Sequence, residues 1–325
     1  MILAGDVGAT KTELALCKIE SGKPLIVISE RFISNDHSGL EEITEKFLKD
    51  KNEKIESGCI GIPGPVENGK VVATNLPWEL DEQAFSQKFK IGKFRFSNDL
   101  ESLATSVPFL PENELIKIYN GDGTKREANK AVIAPGTGLG QSALNYSKNK
   151  YICLPTEGGH TDFAPSNETE IELLRFLLKK YDHVSYERII CGSGMINIFD
   201  FLRSTNKFDI NEELIKRIET DDSASVISSE GLSKKSEICE KTIDIFVSIL
   251  GAQAGNMVLN FKATGGIYLG GGIPVKILNK FKEEKFIQAF LNKGRLSYLC
   301  EVTPVYIIKN ESAGITGAAI IASRL

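Results

Sequence analysis

Residues 2–16 read Ile2-Leu3-Ala4-Gly5-Asp6-Val7-Gly8-Ala9-Thr10-Lys11-Thr12-Glu13-Leu14-Ala15-Leu16, a pattern that predicts an apolar strand, a tight turn and a second strand. A similar unit further along the chain reads Val132-Ile133-Ala134-Pro135-Gly136-Thr137-Gly138-Leu139-Gly140-Gln141-Ser142-Ala143-Leu144. Each copy continues through a polar turn into a third strand, at residues 25–28 and 151–154. The chain therefore carries a duplicated strand–turn–strand unit.

Glycine–threonine turns of this kind suit a polyphosphate ligand. Glycines let backbone N–H groups approach phosphate oxygens closely, and threonine hydroxyls add donors. Asp6 supplies the carboxylate that Mg2+ needs beside such phosphates. A third glycine run, Gly270-Gly271-Gly272, follows the apolar residues 267–269. Asp and Gly are also common in ordinary hairpin turns, but three glycine-rich turns after strands favour one nucleotide. We therefore predict a two-lobed phosphoryl-transfer enzyme.

The composition indicates a globular protein with a small substrate. The chain has 325 residues, of which 42% are hydrophobic and 25% charged, and a net charge of -4. This acidic balance argues against a nucleic-acid partner. No leader-like segment and no apolar run of the ~18 residues that span a membrane is present, so we expect no membrane association and a cytoplasmic location. The six cysteines are scattered singly, which predicts reduced thiols.

Strand-like and helix-like runs alternate along the chain, which predicts an α/β fold. Strand-like runs occupy residues 1–5, 12–19, 25–33, 57–62, 70–74 and 93–97. Pro108 and Pro111 interrupt the pattern, and a new strand begins at residue 115, so we place a domain boundary near residue 110. The second half is richer in helix, with a long apolar-faced helix at 236–260 and a final small-residue helix at 312–324.

Asn98-Asp99 follows one predicted strand and precedes a predicted helix. Both residue types are favoured as helix caps, which accounts for them without any function. The alternative makes Asp99 a general base beside a reacting hydroxyl and Asn98 a reader of hydroxyl groups. Position alone supports the two interpretations equally.

Glu157-Gly158-Gly159-His160 has the Glu-x-x-His spacing of metal-binding helices, but its two central glycines disfavour a helix. We predict a loop whose carboxylate and imidazole bind several sugar hydroxyls, with a polar surface loop as the alternative. Glu187, taken alone, is typical of a glutamate on a helix surface.

Taken together, these motifs occur in the order seen in bacterial-type glucokinases, and the chain resembles that family from end to end. The supporting segments are 5–10, 97–99, 136–140, 155–160, 187–188 and 269–272, together with 62–66, 74–78 and 162–165. The resemblance implies the two-domain actin-like ATPase (ribonuclease H-like) fold with a duplicated core and an interdomain cleft. The last helix returns to the first domain, so the domains become 1–109 plus 304–325 and 110–303.

The resemblance also implies the reaction and its residues: ATP, with Mg2+, phosphorylates the 6-hydroxyl of glucose. Asp99 is then the catalytic base, and the sugar contacts are Asn98, Asp99, Glu157, His160 and Glu187. Nucleotide contacts fall on Gly5, Asp6, Val7, Gly8, Ala9, Thr10, Gly136, Thr137, Gly138, Gly270, Gly271 and Gly272, and Asp6 lies near the metal. A homodimer is the expected assembly, and closure of the cleft on the sugar would exclude water.

Two residues depart from the family pattern. The family usually has glycine where this chain has Ala9, which is tolerable only if φ is negative there, and asparagine where it has Lys11. Lys11 would either reach a phosphate or face solvent. ADP or polyphosphate therefore stays open as the phosphate donor. The alternatives for the whole protein are a kinase for mannose, fructose or an N-acetyl sugar, and a sensor that binds sugar without phosphorylating it.

Overall fold

The computed structural model describes residues 1–73, 76–122 and 127–325. Thr74 and Asn75, from the segment 74–78 and the end of the predicted run 70–74, lie outside the described residues. The strands are β1 Ile2–Val7, β2 Lys11–Glu20, β3 Lys23–Ile33, β4 Ser57–Ile62, β5 Val66–Glu67, β6 Lys70–Val72, β7 Glu79–Asp81, β8 Lys93–Asn98, β9 Leu115–Tyr119, β10 Lys130–Pro135, β11 Leu139–Ser147, β12 Lys150–Thr156, β13 Ile267–Leu269 and β14 Val305–Ile308.

Helices are interspersed with these strands along the chain, which confirms the predicted α/β class. They are α1 Leu40–Leu48, α2 Glu82–Phe89, α3 Asp99–Ser106, α4 Glu168–Leu177, α5 Gly192–Ser204, α6 Glu212–Thr220, α7 Ser223–Leu232, α8 Glu237–Phe261, α9 Gly272–Lys276, α10 Glu284–Leu291, α11 Ser297–Glu301 and α12 Ala313–Ser323. The long helix and the final helix lie within one residue of their predicted bounds.

Two sheets repeat one topology. The first has the strand order β3-β2-β1-β4-β8, and the second has β12-β11-β10-β13-β14-β9. In the first sheet, β1 pairs antiparallel with β2 and parallel with β4, which is parallel to β8. In the second sheet, β10 pairs antiparallel with β11 and parallel with β13, which is parallel to β14. The predicted duplicated core is thus confirmed.

The chain divides into two compact units. The first unit contains Met1–Leu115, Lys150–Pro155 and Asn310–Leu325, and the second contains Ile116–Asn149 and Thr156–Lys309. The domains expected from the sequence differ from these units at their borders and at residues 150–155, and they stay a prediction.

In the first unit, helices cover both faces of the sheet. One face packs Leu3, Leu14 and Phe96 against the apolar stripe of α1. The other packs Ala4 and other small strand residues against α12, whose residues are mostly Ala, Gly and Ile. Because these side chains are small, the backbones of α12 and α3 approach closely, and any side chain at Gly317 would clash with Ser102 O.

The core of the second unit is built around α8. This is the one described helix long and apolar enough to cross a membrane, but 78% of its apolar window is buried inside the protein. Phe246 and Leu250 are fully buried and belong to the largest apolar cluster. The helix is therefore the central element of this core. Cys17, Cys59, Cys191, Cys239 and Cys300 are buried thiols, as predicted.

Candidate functional site

The turn between β1 and β2, Gly8 to Lys11, is called the first turn. Val7 pairs with Thr12 across it, and Gly8 N donates to Lys11 O at 2.9 Å. Ser34, at the end of β3, donates from Oγ to Gly8 O at 2.8 Å and from N to Thr10 O at 3.0 Å. Because Ser34 is fully buried, these two hydrogen bonds anchor the first turn to the interior of the first unit.

The two unusual residues of the first turn are both accommodated. Ala9 is not among the residues with positive φ, so the condition placed on its methyl group is met. Lys11 Nζ lies 2.9 Å from Glu311 Oε2, an exposed ion pair just before α12. Lys11 is thus held by a carboxylate in this structure.

Gly5 and Val7 lie within β1 rather than in the turn. A Cβ added at Gly5 would lie 2.7 Å from Leu14 and 2.9 Å from Ile60, so this position must stay without a side chain. Val7 is 1% exposed and packs in the core. Only the backbone of these two residues is available to a ligand.

Asp6 lies among other carboxylates. Burial, together with the negative charges of Asp99 and Glu13, raises its pKa to about 7. Gly314, in the first turn of α12, faces the Asp6 carboxylate, since a Cβ there would lie 2.6 Å from Oδ2. A helix N-terminus favours negative charge nearby.

Mg2+ fits this donor set. Carboxylate oxygens are the ligands it prefers, and a divalent cation would relieve the repulsion among these acids. The described residues contain no group of three or more His, Cys, Asp or Glu side chains arranged to hold a metal by themselves.

Asn98 and Asp99 begin α3. Asn98 is its N-cap: Oδ1 accepts from Leu100 N at 2.9 Å, and Nδ2 donates to Gly64 O at 3.1 Å. Asp99 Oδ1 also accepts from Leu100 N, at 2.8 Å. The capping interpretation of Asn98 is therefore confirmed, and the cap places the Asp99 carboxylate at the N-terminus of α3.

The register brings the first-unit residues to one edge of the sheet. Asp6 pairs with Gly61, and Ile62 pairs with Asn98, so the candidate residues lie where the parallel strands β1, β4 and β8 end. The carboxyl ends of parallel strands are where open α/β sheets bind ligands.

The turn between β10 and β11, Gly136 to Gly138, is called the second turn. Gly136 N donates to Gly138 O at 2.8 Å, and Gly192 N, at the start of α5, donates to Gly136 O at 2.9 Å. Leu139 N donates to Glu187 Oε2 at 2.9 Å. A Cβ at Gly138 would lie 2.7 Å from the same oxygen, whereas one at Gly136 would meet no atom within 4 Å. One side of this turn is tightly packed and the other is open.

Glu157 precedes a short 3-10 helix, Gly158–His160, so the prediction of a loop was wrong in detail. The cause is packing: Gly159 lies directly against Leu139 O, where any side chain would clash. His160 Nε2 lies 3.9 Å from Glu187 Oε1, and their side chains are 60% and 27% exposed. The second unit thus brings an imidazole and a carboxylate together beside the second turn.

Gly270, Gly271 and Gly272 follow β13, the parallel neighbour of β10. Gly270 N donates to Ile133 O at 2.9 Å. Gly271 has φ of 78°, and a side chain there would clash with Pro135 O, so only glycine fits. Gly272 begins α9 and is exposed, with open space where a Cβ would lie. The second and third glycine runs therefore lie side by side.

Sequence reasoning missed Ser34 and Gly314. Neither lies in a recognisable motif, because each acts on a turn or a carboxylate far away along the chain. Glu187 was ambiguous for the same reason, since its contact with Leu139 spans 48 positions.

Comparisons with known proteins give one consistent result. The model of the family described as Glucokinase matches residues 3–325. A glucokinase of Trichormus variabilis is 35% identical over 342 residues, which cover 100% of this chain and 99% of that protein. A glucokinase of Photorhabdus laumondii is 31% identical over 316 residues, covering 97% and 95% of the two proteins.

Solved structures agree. The crystal structure of a glucokinase from an Antarctic psychrotroph superposes with a TM-score of 0.87 at 28% identity, covering 100% of this chain and 99% of that one. A glucokinase from Balamuthia mandrillaris in complex with glucose has a TM-score of 0.81 at 21% identity, covering 99% and 93%. The second likeness supports the fold alone.

Proposed function

Because the chain belongs to the glucokinase family, we propose roles for the residues that carry its reaction. The protein is an ATP-dependent kinase with the actin-like ATPase fold, and it transfers the γ-phosphoryl group of ATP to glucose. The products are ADP and glucose 6-phosphate. The observation that carries the assignment of roles is the placement of Asp99 where β8 ends and α3 begins, in a chain matched from end to end.

Asp99 is the proposed base. As the 6-hydroxyl oxygen attacks the γ-phosphorus, its proton passes to the Asp99 carboxylate, the new O–P bond forms, and the bond to the β-phosphate oxygen breaks. Asp99 lies at the N-terminus of α3, where the helix dipole favours negative charge. Asn98 Oδ1 accepts the capping hydrogen bond from Leu100 N. We therefore propose that Asn98 contacts the sugar through its Nδ2 amide group.

The proposed sugar contacts of the second unit are Glu157, His160 and Glu187. Carboxylates accept hydrogen bonds from sugar hydroxyls, and a neutral imidazole can either donate a hydrogen bond to a hydroxyl or accept one from it. Glu187 holds Leu139 N through Oε2 and presents Oε1 toward His160. A bound hydroxyl there would link the imidazole and the carboxylate.

The proposed nucleotide contacts are the first turn, the second turn and Gly270 to Gly272. Their support is the open space beside Gly136 and Gly272, where an added Cβ would meet no atom within 4 Å, so that phosphate oxygens can approach the backbone there. Asp6 is the proposed residue beside Mg2+, which would neutralise phosphate charge when bound. Positioning and charge neutralisation supply most of the catalysis in phosphoryl transfer.

A coupled assay over sugars and phosphate donors tests this proposal. We expect the highest kcat/KM with glucose and ATP, against mannose, fructose and N-acetylglucosamine as sugars and ADP and polyphosphate as donors. A higher kcat/KM with another hexose would reassign the substrate within the same chemistry. Sugar binding by calorimetry without any turnover would instead identify a sensor.

We also propose a homodimer and a cytoplasmic location. The support for the dimer is the family resemblance, and light scattering should give a mass near twice 35.7 kDa. The support for the location is that the single long apolar helix forms the core of the second unit.

A further inference from the structure

A chain of hydrogen-bonded polar side chains runs through the second unit. Lys293 Nζ donates to Asn256 Oδ1 at 2.8 Å, and Asn256 Nδ2 donates to Gln253 Oε1 at 2.9 Å. Gln253 Nε2 then donates to Gln141 Oε1 at 3.1 Å. Gln253 and Gln141 are 3% and 2% exposed. We call Lys293, Asn256, Gln253 and Gln141 the amide relay.

Lys293 sets the direction of the relay. An ammonium group has donors and no acceptor, so Asn256 must turn its oxygen toward Lys293. The Asn256 N–H groups then point toward Gln253, so Gln253 must turn its oxygen toward Asn256. In the same way, Gln141 turns its oxygen toward the N–H groups of Gln253. The last donor, Gln141 Nε2, is the only buried side-chain nitrogen or oxygen in the described part of the chain that has no hydrogen-bond partner.

Buried polar side chains that are hydrogen-bonded in series restrict one another's orientation. The segments that the relay contacts are therefore the ones whose positions it can influence.

The relay touches both segments that carry the proposed sugar contacts of the second unit. Thr156 Oγ1 donates to Gln141 O at 3.0 Å, and a Cβ at Gly158 would lie 2.8 Å from Gln141 Oε1. Gly158, between Glu157 and His160, is thus in close contact with the side-chain amide of Gln141, and Thr156 is bonded to the Gln141 backbone. At the other branch, Asn256 Nδ2 also donates to Tyr186 Oη at 3.1 Å, and Tyr186 directly precedes Glu187.

We propose that Lys293 and Asn256 are positioning residues for sugar binding. Through the relay they hold the Glu157-to-His160 segment and the Tyr186–Arg188 turn in fixed relation, so that His160 and Glu187 stay adjacent. Neither residue touches the sugar. Because α8 carries both Gln253 and Asn256, one helix supports both segments. This inference rests on the proposed sugar contacts.

Two variants and one control test it. Lys293→Met removes the donor that orients the relay, and Asn256→Asp keeps an acceptor for Lys293 but has no N–H for Gln253 or Tyr186. The control is Lys280→Met. Lys280 is 4% exposed and pairs with Glu240 and Asp244, which lie on α8 but outside the relay. Any general destabilisation of α8 should appear in the control.

We expect both relay variants to raise the KM for glucose about tenfold, the effect of one or two hydrogen bonds, and to change kcat and the KM for ATP less than about twofold. Hydrogen–deuterium exchange should also rise in segments 156–160 and 186–188. The control should lower Tm and leave both readouts unchanged. An unchanged glucose KM in both relay variants, or an equal rise in the control, would overturn the proposal.

The exchange measurement separates this inference from the proposed function. If the wild-type protein did not phosphorylate glucose, the proposed function would fail, but the exchange of both segments would still report on the relay. Unchanged exchange in both relay variants would then overturn the positioning role by itself.

Discussion

The first and second turns close equivalent hairpins of the duplicated core, but they obtain their carboxylates in different ways. The first turn follows Asp6 on its own strand, and that acid is crowded by Asp99 and Glu13. The second turn follows Pro135, and its carboxylate is that of Glu187, which is distant in sequence and accepts a hydrogen bond from Leu139 N. Glu187 is therefore paired with a donor, whereas Asp6 lies among like charges.

This difference supports the different roles that we propose for the two copies. An acid among like charges suits a cation, because Mg2+ would relieve the repulsion. An acid held by a backbone N–H has a fixed orientation, which suits the recognition of neutral hydroxyl groups. The copies thus share a backbone and differ in the electrostatics around it.

The largest expected effect is at Asp99, beside the first turn. Asp99→Asn should lower kcat by at least about 100-fold with glucose binding still measurable, because the general base is lost. Steady-state kinetics and calorimetry measure the two effects. Glu101→Gln is the matched control: Glu101 lies on the same helix as Asp99, the variant breaks an ion pair with Arg95 of β8, and it should keep most of kcat. A wild-type kcat in Asp99→Asn would show that Asp99 is not the general base and has only a structural role at the start of α3.

Asp6→Asn removes the acid that distinguishes the first turn. We expect kcat/KM for MgATP to fall at least about tenfold and the Mg2+ concentration for half-maximal rate to rise.

The pH dependence of stability gives a second measurement on Asp6. Its folded pKa of about 7 lies above the ordinary value of 3.8, so its contribution to stability is present below pH 4 and is lost as the pH rises through 7. Without Mg2+, Asp6→Asn should therefore be more stable than the wild type at pH 8, and this advantage should shrink toward pH 4. An advantage that is the same at both pH values would contradict the raised pKa.

His160→Ala and Glu157→Ala test the sugar side of the second unit. Each should raise the KM for glucose about tenfold and the KM for ATP much less, because hydroxyl contacts act in the ground state and the transition state alike. Metal analysis is the control, since bound zinc that disappears in His160→Ala would favour a metal site.

Gly138→Ala and Gly136→Ala compare the tightly packed side of the second turn with its open side. Alanine at 138 would push against Glu187 Oε2, so we expect lower Tm and a higher KM for glucose. Alanine at 136 meets open space, so Tm should change little, and the KM for ATP should rise if phosphates approach this backbone. Equal Tm losses in the two variants would show that the packing at Gly138 has no special role.

The smallest effect is expected at Lys11. Its ion pair with Glu311 is exposed, and such pairs contribute about 0–1 kcal/mol. Lys11→Gln should therefore change Tm slightly and the KM for ATP less than about threefold. A tenfold rise in the KM for ATP would instead show that Lys11 leaves Glu311 to bind a phosphate.

The α/β class, the duplicated hairpins, the long helix α8 and the glycine runs were all evident in the sequence. Strand and helix periodicity are local properties, and a turn must carry residues that suit its own backbone. For the same reason, Asp6 and Asp99 were found, since Asp6 lies near the end of β1 and Asp99 directly follows β8. The short 3-10 helix at Gly158–His160 was not, because it is imposed by the close approach of Leu139.

The partners of those residues came from the tertiary structure. Ser34 fastens the first turn, Gly314 faces Asp6, and Glu187 holds Leu139, each across a separation in the chain that no local pattern records. The direction of the amide relay is likewise set by Lys293, whose effect reaches Gln141 only through residues brought together by folding. Propensity acts between neighbours in sequence, whereas charge, packing and hydrogen bonding act between neighbours in space.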